Sequence, residues 1–249
     1  GMKADDETPP SSSTQQRRPT IYLGGHGTAS GAKKIKALEF IELINEKISN
    51  YMQGTRLWCF KDLKEWLEKN EGKLFWLMGG GGTGKSVVSA MVIKLMRDAT
   101  KPLVDGVDVV WHFCLHARPA DNTPLNILTS LAAQICELDE AFCAQLAAEA
   151  QLPEALSGQL KTLEMFDVLL KRPMEALGAR ERKLLIVIDA LDELPHDGTQ
   201  DRVLRLLADA FSTLPEWVKL FTTSRDEAAI KVKLAKFKPM ELKVDEERN

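Results

Sequence analysis

Apolar positions along this chain switch between two spacings, and the switches predict its elements. From about residue 32, Ile35, Leu38, Ile41, Leu43, Ile44 and Ile48 recur every three or four positions, which predicts a helix. Leu63, Trp66 and Leu67 repeat the pattern over residues 61–69. Residues 74–78, Leu-Phe-Trp-Leu-Met, form an unbroken apolar run of strand length. A helix over 87–97 follows, carried by Val88, Met91, Val92 and Leu95. The β-branched and aromatic stretch 107–115 predicts a second strand, and 124–138 and 140–150 predict helices rich in alanine and leucine. A further helix over 163–177 is interrupted at Pro173. Leu184-Leu185-Ile186-Val187-Ile188 has no polar alternation, so it predicts a central parallel strand covered on both faces. Residues 216–225 predict a fourth strand, and 237–244 an edge strand in which Pro239 is tolerable. Strands alternating with helices predict an α/β fold with a parallel sheet.

Between the 74–78 run and the next helix stand Gly79, Gly80, Gly81, Gly82, Thr83, Gly84, Lys85, Ser86 and Val87. The spacing fits G-x-x-x-x-G-K-[ST], a phosphate-binding loop, and the strand before and helix after it supply the required context. Glycine lets successive backbone N–H groups turn inward on phosphate oxygens, and the helix N-terminus favours the same anion. Lys85 is expected to reach the β- and γ-phosphates and Ser86 to ligate Mg²⁺. A flexible linker would not sit between a buried strand and a helix. The aliphatic run ends in Asp189, which places a carboxylate at the edge of the sheet where open α/β sheets bind ligands. Asp189 is expected to hold the same Mg²⁺, with Asp192 and Glu193 on the same rim as candidates to polarise an attacking water. They could equally be acids favouring a helix start. Arg225 ends the fourth strand, where it could reach the γ-phosphate or simply cap a loop. Thr55 and Arg56, in a Gly-Thr-Arg turn ahead of the first strand, are expected near the base or ribose. The neighbouring Trp58, Phe60 and Trp66 are expected to pack on the sheet.

Composition narrows the picture. The chain of 249 residues is 44% hydrophobic, with a formal net charge of −3 and no basic block, so nothing directs it to nucleic acid or an anionic surface. No apolar segment approaches the roughly 20 residues of a membrane span, and the start lacks a secretory signal; a cytoplasmic location is expected. Gly1 before Met2 looks like a remnant of a cleaved tag. Cys59, Cys114, Cys136 and Cys143 form no Cys-x-x-Cys pair and are expected as buried thiols. His112, Cys114 and His116 alternate along one predicted strand, but three ligands so close make poor tetrahedral geometry for zinc. Residues 1–31 are expected as a disordered N-terminal segment, 32–70 as a helical extension and 71–249 as the nucleotide-binding domain.

The chain resembles the NACHT domains of the STAND class of signalling ATPases. The resemblance rests on Gly54-Thr55-Arg56-Leu57-Trp58, the strand into Gly79–Ser86, His112-Phe113-Cys114, Asp189-Ala190-Leu191-Asp192-Glu193, and Leu214-Pro215 leading to Thr222-Thr223-Ser224-Arg225. It implies a three-layer P-loop NTPase sandwich with a five-stranded parallel sheet of order 5-1-4-3-2. It also implies an ATP/ADP switch with Mg²⁺ and slow ATP hydrolysis, in which ATP opens a larger protein for self-association. Lys85, Ser86 and Asp189 would serve the nucleotide and metal, Asp192 or Glu193 hydrolysis, and Arg225 the sensing of the γ-phosphate. Family members continue into a helical lid and a winged-helix domain, which are expected to lie outside this fragment, as are effector and sensor partners. The alternatives are a nucleotide-binding interaction scaffold with negligible hydrolysis and a GTP-binding switch. The Asn-Lys-x-Asp element by which GTPases read guanine is not in the sequence.

Overall fold

The aliphatic run that predicts a central strand becomes one. In the computed structural model, which describes residues 21–23 and 33–244, Lys183–Asp189 pairs in parallel on both sides. In chain order the elements begin with β1 (Ile21–Leu23), β2 (Lys33–Ile35), α1 (Ile41–Ser49), α2 (Leu57–Lys69), β3 (Leu74–Met78), α3 (Lys85–Met96) and β4 (Val107–Phe113). Then come α4 (Pro124–Leu138), α5 (Glu140–Ala148), α6 (Leu152–Leu156), α7 (Thr162–Phe166), α8 (Arg172–Ala176) and β5 (Lys183–Asp189). The chain closes with α9 (Thr199–Asp209), β6 (Val218–Ser224), α10 (Ala228–Leu234) and β7 (Met240–Lys243). The main sheet runs β4-β5-β6-β3-β7, all parallel. Numbering only its own strands in chain order and reading from β7, this is 5-1-4-3-2, the expected order.

Strand periodicity divides the core into two layers. Leu74, Trp76, Met78, Ile186 and Ile188 face one layer with α4, α5, α9 and α10. Phe75, Leu77, Leu185 and Val187 face the other, with α1, α2 and α3. The second layer is held by aromatic contacts: Phe75 stacks on Phe221 and meets Trp66 of α2 edge-on, both at 5.6 Å between centroids. Such pairs contribute about 1 kcal/mol beyond the area they bury. The two helices expected as an extension are therefore part of one face of the sandwich.

Two expectations change. The helix read from residue 32 starts only at Ile41; Lys33–Ile35 is a strand paired antiparallel with Ile21–Leu23. Ile35 and Leu38 fit a helical spacing, but Ile35 and Ala37 are buried while Lys34 and Lys36 are exposed, which is the alternation of an extended chain. The expected disordered segment 1–31 lies outside the described residues except for Ile21–Leu23, which forms that strand. Ile35 and Ala37 belong to one layer and Phe40 and Ile44 to the other, so the chain passes the outer edge of β4 between them. Phe40 meets the rings of His112 and Phe113, and the Leu38 N–H donates to Ser130 Oγ at 2.9 Å. An otherwise open edge strand is covered in this way. The helix read over 163–177 forms in three pieces, with a π-helical turn at Asp167–Lys171 that delivers Pro173 to the start of α8.

His112, Cys114 and His116 do not converge. β4 ends at Phe113, His116 is exposed beyond it, and His112 is buried with neither ring nitrogen hydrogen-bonded. Among the described residues no cluster of three or more His, Cys, Asp or Glu could hold a metal by itself. Cys59, Cys114 and Cys136 are buried free thiols and Cys143 is half-buried. Burial pushes the Cys59 thiol up to about 12.

Burial, opposed by nearby Asn122 and helped by the charge of Arg118, lowers His112 to about 4. Unfolded histidine protonates near pH 6.5. The unfolded chain therefore takes up a proton that the folded chain refuses between those values, and stability falls as pH drops through that window. Between about pH 7.5 and about pH 5 the wild type is expected to lose about 2 kcal/mol more than His112→Leu. Urea unfolding at the two pH values measures this; equal losses would contradict it.

Candidate functional site

The phosphate loop is suspended between two strands. β3 delivers the chain to Gly79, whose N–H donates to Ser224 O of β6 at 3.3 Å. Gly82 and Gly84 take left-handed backbone angles, φ 75° and 84°, which a side chain would resist. Thr83 Oγ1 donates to Gly80 O at 2.9 Å, closing the loop on itself. Lys85 opens α3, yet its ammonium turns back to donate to Gly79 O and Gly80 O at 2.8 and 2.7 Å. A buried cation bonded to backbone carbonyls is ready to exchange them for a charged acceptor, which binds an ammonium more strongly.

Asp189 stands below this loop, 2% exposed. Its Oδ1 accepts from Ser89 Oγ of α3 at 2.5 Å and from Thr223 Oγ1 of β6 at 2.7 Å. Burial raises its pKa, while the Ser89, Thr223 and Ser86 hydroxyls and the Lys85 charge hold it down. Ser89 is a partner that sequence reading missed. The signal was a hydroxyl one helical turn after Lys85, on the buried side of α3. A carboxylate beside a serine hydroxyl offers the hard oxygen ligands that suit Mg²⁺. That ion is usually bound by one or two carboxylates together with substrate phosphates, so the residues fit a magnesium–nucleotide pair.

After Asp189 the chain reverses sharply. Ala190 is left-handed at φ 60°, and its N–H donates to Thr223 Oγ1 at 2.8 Å. A non-glycine residue in that region is strained, and such strain gathers at functional sites. The reversal brings Asp192 to Arg225, with Oδ2 3.0 Å from Nε and Oδ1 accepting the Arg225 N–H at 3.1 Å. Glu193 remains exposed and accepts the His116 N–H on Oε2 at 3.2 Å. The Arg225 guanidinium lies against the loop: Nη2 is 3.7 Å from where a β-carbon on Gly81 would stand.

Thr55 and Arg56 reach the other side of the loop. With Tyr51, Trp58, Gly82, Thr83, Gly84 and Val87 they line a cavity of about 710 Å³. Thr55 Oγ1 donates to Met52 O at 2.7 Å. Arg56, itself left-handed at φ 58°, donates from Nη1 to Val244 O at 2.8 Å and from Nη2 to Thr83 O at 3.2 Å. Its guanidinium thus ties the loop to the end of β7, a role that sequence spacing did not reveal.

The conserved-domain description "Nephrocystin 3, N-terminal" matches residues 54–225. The chain belongs to the nephrocystin 3 N-terminal family. The matched span of this nephrocystin 3 N-terminal domain begins at the Gly-Thr-Arg turn on one side of the phosphate loop and ends at Arg225 on the other. The chain has an α/β sandwich fold with a phosphate-loop sequence between β3 and α3. No curated protein matches it significantly. Among solved structures, Cdc6p from Pyrobaculum aerophilum is similar at 17% identity and a TM-score of 0.46, over 80% of this chain and 48% of that chain. The Walker-type ATPase of Pyrococcus abyssi is similar at 19% and 0.45, over 76% and 53%. Drosophila ORC bound to AT-rich DNA and Cdc6 is similar at 16% and 0.43, over 82% and 57%. The chain spans about half the length of these structures. Among the described residues no helix is long and apolar enough to cross a membrane.

Proposed function

We propose that this nephrocystin 3 N-terminal domain is a NACHT-type switch that binds ATP and ADP with Mg²⁺, hydrolyses ATP slowly and controls self-association of a larger protein in a signalling role. The observation that carries the reading is the convergence of Lys85, Asp189 and Arg225 on one glycine loop from three different elements. Lys85 leaves the Gly79 and Gly80 carbonyls for the β- and γ-phosphates, while Gly81–Ser86 turn toward them. Ser86 and Asp189 would hold Mg²⁺, which when bound would supply charge neutralisation at the phosphates. The 710 Å³ cavity receives the nucleoside, with Thr55 and Val87 on its wall. Arg56 supports that wall by fixing Thr83. Glu193, exposed at the rim, orients and deprotonates the attacking water.

Slow turnover suits a switch, because the state must outlast the encounter that reads it. Glu193→Gln is expected to slow phosphate release by about 10²-fold while leaving ATP binding unchanged. Release of phosphate from ATP, followed with and without Mg²⁺, measures it. A wild type that binds ATP tightly but releases no phosphate would favour the scaffold reading. That reading draws support from Glu193, whose carboxylate accepts the His116 N–H in this conformation.

A further inference from the structure

Asp192 has both carboxylate oxygens engaged by a single partner. Oδ1 accepts the backbone N–H of Arg225 and Oδ2 pairs with its Nε. The Asp192 side chain is 8% exposed and that of Arg225 is 60% exposed, so the acid is the fixed member and the guanidinium the one facing outward. Oxygens already bonded to a guanidinium and an amide are poorly placed to take a proton from water, since a general base must be within hydrogen-bond reach of the proton it abstracts.

The geometry of the grip matters more than its charge. Arginine carries five N–H donors in a rigid planar fork. Holding the Nε edge and the backbone N–H orients the opposite, Nη end. That end lies against the phosphate loop, with Nη2 and the guanidinium carbon 3.7 and 3.8 Å from a β-carbon built on Gly81. A second observation points the same way. Two residues before Asp192, Ala190 adopts a strained left-handed angle, and its N–H donates to Thr223 Oγ1. A turn of that cost is retained where the position it creates is needed.

We propose that Asp192 is the positioning residue of Arg225: it clamps the guanidinium by its Nε edge so that the terminal nitrogens address the third phosphate of a nucleoside triphosphate on the Gly79–Ser86 loop. The pair thereby sets the preference for triphosphate over diphosphate. The inference rests on the nucleotide-binding reading above and assigns Asp192 no part in proton transfer.

The test is the binding of fluorescently labelled ATP and ADP, each with Mg²⁺, to the wild type, Asp192→Ala, Asp192→Asn, Arg225→Ala and the double alanine variant. Asp192→Ala and Arg225→Ala are each expected to weaken triphosphate binding about tenfold, the size of a lost charge-assisted hydrogen bond. Diphosphate binding is expected to stay within about twofold, and the double variant to be no worse than Arg225→Ala, because the two residues act as one unit. Asp192→Asn keeps an acceptor for the Arg225 N–H without the charge, so it is expected to fall between. It also gives the same reading if the alanine variant does not fold. An unchanged ATP-to-ADP ratio in Asp192→Ala with lost phosphate release would make Asp192 a general base and overturn the inference, as would losses that add in the double variant. A wild type that binds neither nucleotide contradicts the proposed function and this inference with it. Binding of both with an unchanged ratio in the variants contradicts this inference alone.

Discussion

Asp189→Asn is expected to produce a more stable protein that no longer hydrolyses ATP. The two effects have one cause. Asp189 is 2% exposed, and burial raises its pKa, so its charged form is a burden on the nucleotide-free fold. Asparagine has nearly the same shape, and its amide oxygen still accepts from the Ser89 and Thr223 hydroxyls that bond Oδ1 at 2.5 and 2.7 Å. The charge is lost, and Oδ2 becomes an amide nitrogen that donates instead of accepting. The nucleotide-free variant is expected to gain about 1 kcal/mol, a rise of roughly 2–4 °C in melting temperature for a chain of this size. In the proposed site the same change would remove the anionic ligand that joins Ser86, and an amide oxygen is a far weaker partner for Mg²⁺. Phosphate release is therefore expected to fall on the order of 10²-fold or more. Thermal unfolding without nucleotide, beside phosphate release with it, measures both. A destabilised variant would mean that the Lys85 charge needs Asp189 more than burial penalises it. Retained hydrolysis would remove Asp189 from the metal site.

How much of this could be read from the sequence depended on whether a signal was local. The strand Leu184–Ile188, the glycine loop and the acid closing the strand are contiguous, and each has a short-range physical reason to be where it is. They led directly to the sandwich and to a carboxylate under the loop. Lys33–Ile35 was misread because three residues fit either period, and its partner Ile21–Leu23 lies across a polar stretch that offers no pairing signal. The contacts that tune the site were harder still. Asp192 and Arg225 are 33 positions apart, and what joins them is a left-handed alanine that no propensity would place at residue 190. Arg56 is expected near the base or ribose because its turn precedes the first strand. The structure gives its guanidinium to Thr83 and Val244, carbonyls brought together only once β7 has docked beside β3. In each case the residue type and its general neighbourhood were legible, and the partner was not, because partners are chosen by tertiary packing.

Lys85 carries the second large effect. Lys85 is 9% exposed and its ammonium donates to two loop carbonyls, so Lys85→Ala removes the donor from Gly79 O and Gly80 O. The cost to folding is expected to be small, about 1 kcal/mol. The cost to nucleotide binding is expected to be large: one ammonium lost from the β- and γ-phosphates in a partly desolvated site weakens binding about 10²-fold or more. A variant that unfolds instead would place Lys85 among the structural residues of the loop.

The central claim is that the Gly79–Ser86 loop holds an adenine nucleotide. It is tested most directly by denaturing the purified protein, separating whatever it releases by chromatography, and repeating this with Lys85→Ala. The account predicts ADP or ATP from the wild type and none from the variant. Guanine nucleotide from the wild type, or adenine nucleotide released equally by Lys85→Ala, would contradict it.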